Sequence, residues 1–351
     1  MRILIVKLSA IGDIVHTLPA LNAIRTALPD ASITWVAEAR SAEILRGNEM
    51  IDNLLEIDTS SLRGGMVVEE MVLEIGRYAR MIREREYDVA IDFQGLLKSG
   101  AVTRISGAKK RWGFSRKQLR EPTSRVFLTD AVKIPPKTHV VRKNLMLANA
   151  ALGIVEDPET IEFPIFPDRS HRDEADAIIS GAGGRFAILN PAGGWVTKLW
   201  HAEKFGELAD RISERFGLVS LVATGPNEVE LAQRVLAHSR SGKAIAIQPS
   251  LRGFYEVAKK AAVYIGGDTG PTHLAIAAGT PIVGIFGPTE WWRNGSLNEN
   301  DICVERYDIG CRIKCHRRTC GNWICMDISV DRVFQAVSER LTNSETDRDR
   351  Q

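Results

Sequence analysis

Val263-Tyr264-Ile265-Gly266-Gly267-Asp268-Thr269-Gly270-Pro271-Thr272-His273-Leu274 reads as a short strand, a glycine turn and the start of a helix. Val263 to Ile265 is a buried β-rich run, Gly266 and Gly267 let the backbone come close to a ligand, and Pro271 suits the first helical turn, where no backbone donor is needed. A helix opening directly after a strand presents unpaired amides and the positive end of its dipole, which favours an anion, and Thr269 or Thr272 could add a hydroxyl. The turn therefore predicts a phosphate-bearing ligand. On this stretch alone, Asp268 and Thr269 could equally be capping residues.

Moving outward, the same alternation recurs. Phe186 to Leu189 is a strand ending at Asn190-Pro191-Ala192-Gly193-Gly194, Leu218 to Ala223 is another closed by Thr224-Gly225-Pro226, and Ile282 to Phe286 follows the quoted turn. Helical patterns cover Ala202 to Phe216 and Pro271 to Ala278. Toward the N-terminus, Ile3 to Val6, Ser32 to Ala37 and Val89 to Phe93 read as strands. Helices are expected over Ile14 to Leu28 and Met66 to Glu86. Short apolar strands separated by helices imply parallel pairing and doubly wound sheets, with ligands outside the carboxyl ends of the strands. Pro158, Pro164 and Pro167 interrupt any element near Thr160 to Pro167, which is the expected linker. The expected division is one α/β domain over 1–165, a second over 166–341, and a polar, disordered tail over 342–351.

Composition narrows the class. Hydrophobic residues make up 44% and charged residues 26%, a globular balance, and the formal net charge is +2. The opening run is too short for a signal peptide, and no stretch reaches the roughly 18 apolar residues of a membrane span, so a cytoplasmic protein is expected. Neither G-x-x-x-x-G-K-[ST] nor a G-x-G-x-x-G after the first strand occurs, which argues against a P-loop enzyme and an ordinary dehydrogenase.

Three further features carry chemistry. The loop Lys7-Leu8-Ser9-Ala10-Ile11-Gly12-Asp13 places a carboxylate where it could accept a proton from a hydroxyl, although Asp13 could also cap a helix starting at Ile14. Lys98 to Arg125 holds nine basic residues against Glu121 alone. This suits an anionic acceptor or an anionic membrane surface, and no nucleic-acid module surrounds it. All five cysteines lie between Cys303 and Cys325. Cys311, Cys315, Cys320 and Cys325, with His316, could furnish four metal ligands, or simply be reduced thiols.

Taken in order, several motifs resemble those of the lipopolysaccharide heptosyltransferases, inverting glycosyltransferases of family 9 with the two-domain GT-B fold. They are Arg2 to Lys7 with Ile11-Gly12-Asp13 and His16-Thr17-Leu18-Pro19; Ile91 to Leu96 with Lys98-Ser99; Arg120-Glu121-Pro122; Lys198 with Trp200; and Asp268-Thr269-Gly270 with His273-Leu274. The resemblance covers most of the chain and is strongest to the first-heptose enzymes. It implies two doubly wound domains facing across a cleft. The implied reaction moves heptose from ADP-heptose to the Kdo region of Kdo-lipid A, at the cytoplasmic face of the inner membrane. Asp13 would be the general base and Lys198 the charge on the departing diphosphate, with no metal or other cofactor. Asn190, Gly193, Glu228, Asp268, Thr269, Gly270 and His273 would hold the donor, while Gln94, Lys98 and Arg120 would meet the acidic acceptor. The chain departs from the family in Leu199, where relatives often have His, and in a loop Asn190 to Gly194 richer in glycine than in first-heptose enzymes, while the four-cysteine segment looks like that of second-heptose enzymes. The rival readings are a related transferase with another sugar or acceptor, and a non-catalytic nucleotide-sugar-binding protein.

Overall fold

The structure, a computed structural model of the 351-residue chain, describes residues 1–58, 68–154, 161–311, 315 and 317–348, the side chains of 68–75 and 344–348 excepted. Pro158, Thr160 and His316 lie outside the described residues, as does the start of the helix expected from Met66. The chain forms two compact units, Met1–Phe166 and Pro167–Gln351.

The first unit is built on β1 (Arg2–Val6), β2 (Ser32–Glu38), β3 (Asn53–Ile57), β4 (Val89–Asp92), β5 (Lys110–Phe114) and β6 (Asp130–Val132). They pair in the order β3-β2-β1-β4-β5-β6, all parallel. In the second unit β7 (Phe186–Asn190), β8 (Val219–Ala223), β9 (Ala244–Ile247), β10 (Val263–Gly266), β11 (Ile282–Phe286) and β12 (Ile302–Glu305) pair in the order β12-β11-β10-β7-β8-β9, again all parallel. Counted from its own first strand, each sheet has the doubly wound order 3-2-1-4-5-6, with helices as crossovers. The strand order reverses between β1 and β4 in one sheet and between β7 and β10 in the other. Those two points are where ligands bind in open parallel sheets.

Why these segments are central follows from their composition. Ile3, Leu4, Ile5 and Val6 are wholly buried, as are Ile188, Leu189, Val263, Tyr264 and Ile265. Helices cover both faces of such strands, so no polar alternation survives. The crossover helices show the complementary pattern. In the helix Ala202–Phe216, Phe205, Leu208, Ala209 and Ile212 lie on one buried stripe, and Gly217 ends the helix in the left-handed conformation.

Two expectations need correction. The single helix expected over Ile14 to Leu28 is two, Ile11–Val15 and Leu18–Ala27. Pro19 sits in the first turn of the second, where its missing N–H costs nothing, so the chain restarts there. Asp13 consequently lies inside the first helix, whose N-cap is Ala10, and does not cap a helix beginning at Ile14. The last helix spans Val330–Arg348, so its backbone is helical through much of the stretch read as a disordered tail.

Candidate active site

At the first reversal point, β1 hands over to Lys7 and β4 to Phe93-Gln94-Gly95. Asp92, at the end of β4, is fully buried, and its Oδ1 accepts the backbone N–H of Gln94 (2.8 Å) and Gly95 (3.0 Å), while Ser99 Oγ donates to its Oδ2 (3.0 Å). Burial pushes its carboxyl up to about 6 despite these bonds. Gln94 Oε1 then accepts the N–H groups of Leu8 (3.1 Å) and Ser9 (3.3 Å), and Lys7 Nζ donates to the Phe93 carbonyl (2.9 Å). The two loops are thereby tied to each other, and Gln94, read as an acceptor contact, has its carbonyl oxygen inside this tie.

Asp13 stands on the short helix beyond the loop, about a third exposed. Its Oδ1 lies 3.9 Å from Lys7 Nζ and its Oδ2 lies 3.6 Å from Arg120 Nη1. Both separations exceed a hydrogen bond, leaving a partly solvated carboxylate between two cations. Arg120 reaches it because its segment packs on the Gly95 turn: Glu121 N donates to the Gly95 carbonyl (3.1 Å), and Leu97 N to Glu121 Oε2 (2.6 Å). Gly95 has φ +71°, and a Cβ there would meet Leu119 Cδ2 at 3.1 Å. Lys98 is ion-paired with the buried carboxylate of Glu38 at the end of β2. The basic stretch is partly consumed internally, since Arg111 and Arg125 also donate to backbone carbonyls. Arg116, Lys117 and Arg120 remain exposed.

At the second reversal point, the turn after β10 is occupied by an ion pair. Lys198 Nζ lies 2.6 Å from Asp268 Oδ2 and donates to the Asp268 carbonyl at 3.0 Å. Asp268 Oδ1 is met by His273 Nε2 (3.2 Å) and by the amide of Asn294. Burial alone would push the Asp268 carboxyl up, but the hydrogen bond from His273 and the charge of Lys198 outweigh it and hold the group far below the usual carboxylate range. Gly267 makes the pairing feasible. A Cβ there would press within 3.2 Å of the Lys198 carbonyl and 3.5 Å of that of Ile285.

The helix that follows, Gly270–Ala277, has Thr269 as its N-cap, yet no side chain caps it. Thr269 Oγ1 turns instead to Asn190 Oδ1 (3.2 Å) at the end of β7, and Asn190 Nδ2 donates to Ala223 O (2.8 Å) at the end of β8. Three strand ends are thus joined beneath a helix opening. Glu228 folds back onto the turn after β8, where its Oε2 accepts Gly225 N (2.8 Å). The loop after Asn190 brings Trp195 under Lys198, whose Nζ sits 4.5 Å from the ring centroid, with the Arg318 guanidinium 5.5 Å from the same ring. Gly193 lies against Leu199 in that loop.

Lys198, Asp268 and His273 are therefore brought into one cluster, and Asn190 joins Thr269 in a second one beside it. Asn294, Trp195 and Glu38 escaped sequence reasoning. Asn294 had a faint signal, because Phe286-Gly287-Pro288-Thr289 is another strand-to-turn junction on the same rim. Glu38 had none, since its partner Lys98 lies 60 residues away, whereas Trp195 stands only three residues before Lys198 and reads there as an ordinary loop residue.

The four clustered cysteines come together as well. Cys311, Cys315, Cys320 and Cys325 line one small pocket, all as free thiols. Burial raises the Cys325 thiol, and the sulfurs of Cys315, Cys311 and Cys320 add to that effect. Among the described residues, no helix is long and apolar enough to cross a membrane.

Two doubly wound, parallel six-stranded sheets are the architecture of the GT-B glycosyltransferases. The family model for glycosyltransferase family 9 (heptosyltransferase) matches residues 75–323, and the chain belongs to that family. It is 31% identical over 320 residues to lipopolysaccharide heptosyltransferase 1 of Pseudomonas aeruginosa, covering 91% of this chain and 87% of the relative. To the protein of the same name from Escherichia coli K12 it is 28% identical, covering 86% and 92%. Among solved structures, E. coli heptosyltransferase WaaC with ADP superposes with a TM-score of 0.77 at 25% identity, covering 97% of this chain and all of that one. The same enzyme with ADP-2-deoxy-2-fluoro heptose gives 0.76 at 25%, covering 97% and 99%.

Proposed function

We propose that the protein transfers heptose from ADP-heptose to the Kdo region of the lipopolysaccharide inner core, with inversion at the anomeric carbon. The observation that carries the reading is the Lys198–Asp268 pair at the uncapped opening of the Gly270–Ala277 helix. That is a charge and a set of amides suited to a diphosphate, in a chain similar along nearly its whole length to a heptosyltransferase solved with ADP.

In this reading Asp13 takes the proton from the acceptor hydroxyl as its oxygen bonds to the anomeric carbon. The bond from that carbon to the diphosphate breaks on the opposite face, and the electron pair leaves with ADP. Lys198, oriented by Asp268, and the amides of the helix opening stabilise the charge on the departing phosphate. Asn190, Gly193, Thr269 and Gly270 border the same diphosphate, and Glu228 meets the nucleoside from the turn after β8. His273 serves through Asp268. Arg120, with exposed Arg116 and Lys117 on its segment, meets the acidic sugars of a lipid-linked acceptor at the cytoplasmic face of the inner membrane, while Gln94 and Lys98 support that side. Addition of the first heptose is favoured over the second, because the relatives of 31% and 28% identity are heptosyltransferases 1.

The test is to incubate the protein with ADP-heptose, and separately with other nucleotide sugars, on Kdo-terminated and on singly heptosylated acceptors. Product mass should rise by one heptose on the Kdo-terminated acceptor only, with the anomeric configuration opposite to the donor's. Addition solely to the heptosylated acceptor, or transfer of a different sugar, would overturn the assignment.

A further inference from the structure

Cys311, Cys315, Cys320 and Cys325 belong to neither reversal point, yet all four, from a stretch of fifteen residues, line one pocket. The pocket's interior is about 30 Å³, room for an ion or a water or two and too little for an organic ligand. Four sulfurs around so small a space are a soft donor set of the number that zinc prefers. The sulfur of Cys320 also accepts the backbone N–H groups of Asn322 and Trp323. Amides aimed at one sulfur are the outer support that a metal-bound thiolate needs.

The pocket is fastened to the turn that carries Lys198. Thr197, buried beside that lysine, is part of its wall; Thr197 Oγ1 donates to the Arg317 carbonyl (2.7 Å), and Trp323 Nε1 donates to the Thr197 carbonyl (3.1 Å). Whatever orders the cysteine segment therefore acts on Thr197 from both its side chain and its backbone.

We propose that Cys311, Cys315, Cys320 and Cys325 bind one thiophilic divalent cation, zinc by donor set and size, which locks the segment against the Lys198 turn. Among the described residues no three such side chains already stand arranged to hold an ion. Binding therefore closes the sphere: each thiol releases its proton, its thiolate rotates onto the ion, and the metal supplies the free energy of ordering.

The test uses full-length protein without a histidine tag, loaded with zinc under reducing conditions and dialysed, with metal measured by mass spectrometry. About one zinc per chain is expected, lost in Cys320→Ser and in Cys325→Ser but kept in Cys303→Ser, whose sulfur is not on the pocket wall. Cobalt in place of zinc should give thiolate charge-transfer absorption and the strong visible bands of a tetrahedral site. Circular dichroism verifies that each variant is folded. Independently of any variant, zinc should shield four thiols of the wild type from a thiol reagent until a chelator is added. Wild-type protein that retains no zinc, zinc that survives both serine variants, or cysteines found paired as disulfides would each overturn the proposal.

Discussion

The two reversal points are topologically the same place in two copies of one sheet, and each is furnished with carboxylates, but they treat those carboxylates in opposite ways. In the second unit Asp268 is buried and answered at once by Lys198, His273 and Asn294, so its negative charge is fixed. At the first unit's reversal point the carboxylate buried at the end of β4, Asp92, has only neutral hydrogen-bond donors and is pushed up to about 6. The carboxylate proposed as the base, Asp13, is partly exposed and stands 3.6 Å and 3.9 Å from its cations. A group that must bind and release a proton needs such loose company, whereas a group that must aim a cation needs tight company. In the proposed reaction, the spacing of partners thus suits the first unit's carboxylate to proton transfer and the second unit's pair to leaving-group charge.

Removing the loose carboxylate should have the largest effect. Asp13→Asn is expected to lower transfer by about 10²–10⁴-fold with ADP-heptose affinity unchanged, measured by single-turnover rates and by calorimetry with the donor. Unchanged transfer would dismiss Asp13 as the base. Next comes the tight pair. Lys198→Met should lower turnover by about 10²–10³-fold. It also strands the buried Asp268 charge, at a cost of about 3–5 kcal/mol in denaturant titrations. Adding Asp268→Asn should restore much of the stability and none of the turnover. Equal rescue of both would mean that the pair serves only the fold.

The pH dependence of stability separates the two ends further. Asp92 binds its proton more tightly folded than unfolded, so its contribution is complete below about pH 4 and is lost as pH rises through about 6, a change of about 3 kcal/mol. Asp268 has the opposite sign. Its contribution is present above the ordinary carboxylate range and is lost only as pH falls below it. Asp92→Asn should flatten the decline between pH 4 and 6 in urea titrations while leaving the acid limb intact. A persistent decline would place its cause elsewhere.

Sequence reading recovered most of the middle of each sheet and missed all four edge strands and β5. The strands β1, β2, β4, β7, β8, β10 and β11 are buried on both faces, so their apolar runs announce them. By contrast β3, β5, β6, β9 and β12 do not read as strands. Lys110-Arg111-Trp112 of β5 looks like part of a basic patch because flanking strands can carry charge that central ones cannot. The site divides in the same way. The helix opening at Asp268 to Gly270 is legible because its chemistry is local. That Asp268 orients Lys198 rather than capping a helix is not legible, because its partners lie 70, 5 and 26 residues away. Likewise the tie between Gln94 Oε1 and the N–H groups of Leu8 and Ser9 is not legible, because these partners lie 86 and 85 residues away.

The smallest expected effect tests whether each end is held by its glycine. Gly95 and Gly267 occupy matching turns after β4 and β10, but they are constrained differently. Gly95 has φ +71°, and its missing Cβ leaves room for Leu119 and, at 3.5 Å, for the Arg120 nitrogen. Gly267 needs no left-handed backbone; its missing Cβ leaves room for the Lys198 carbonyl at 3.2 Å. Gly95→Ala should therefore cost about 1–2 kcal/mol from the backbone alone, and shift Arg120 away from Asp13. Gly267→Ala should cost less and displace the Lys198 turn by a few tenths of an ångström, the amount a contact that tight must yield. Steady-state kinetics tell them apart: the first should raise KM for the acceptor and spare the donor, and the second should do the reverse. If both variants weakened the same substrate, the two turns would not serve separate halves of the reaction.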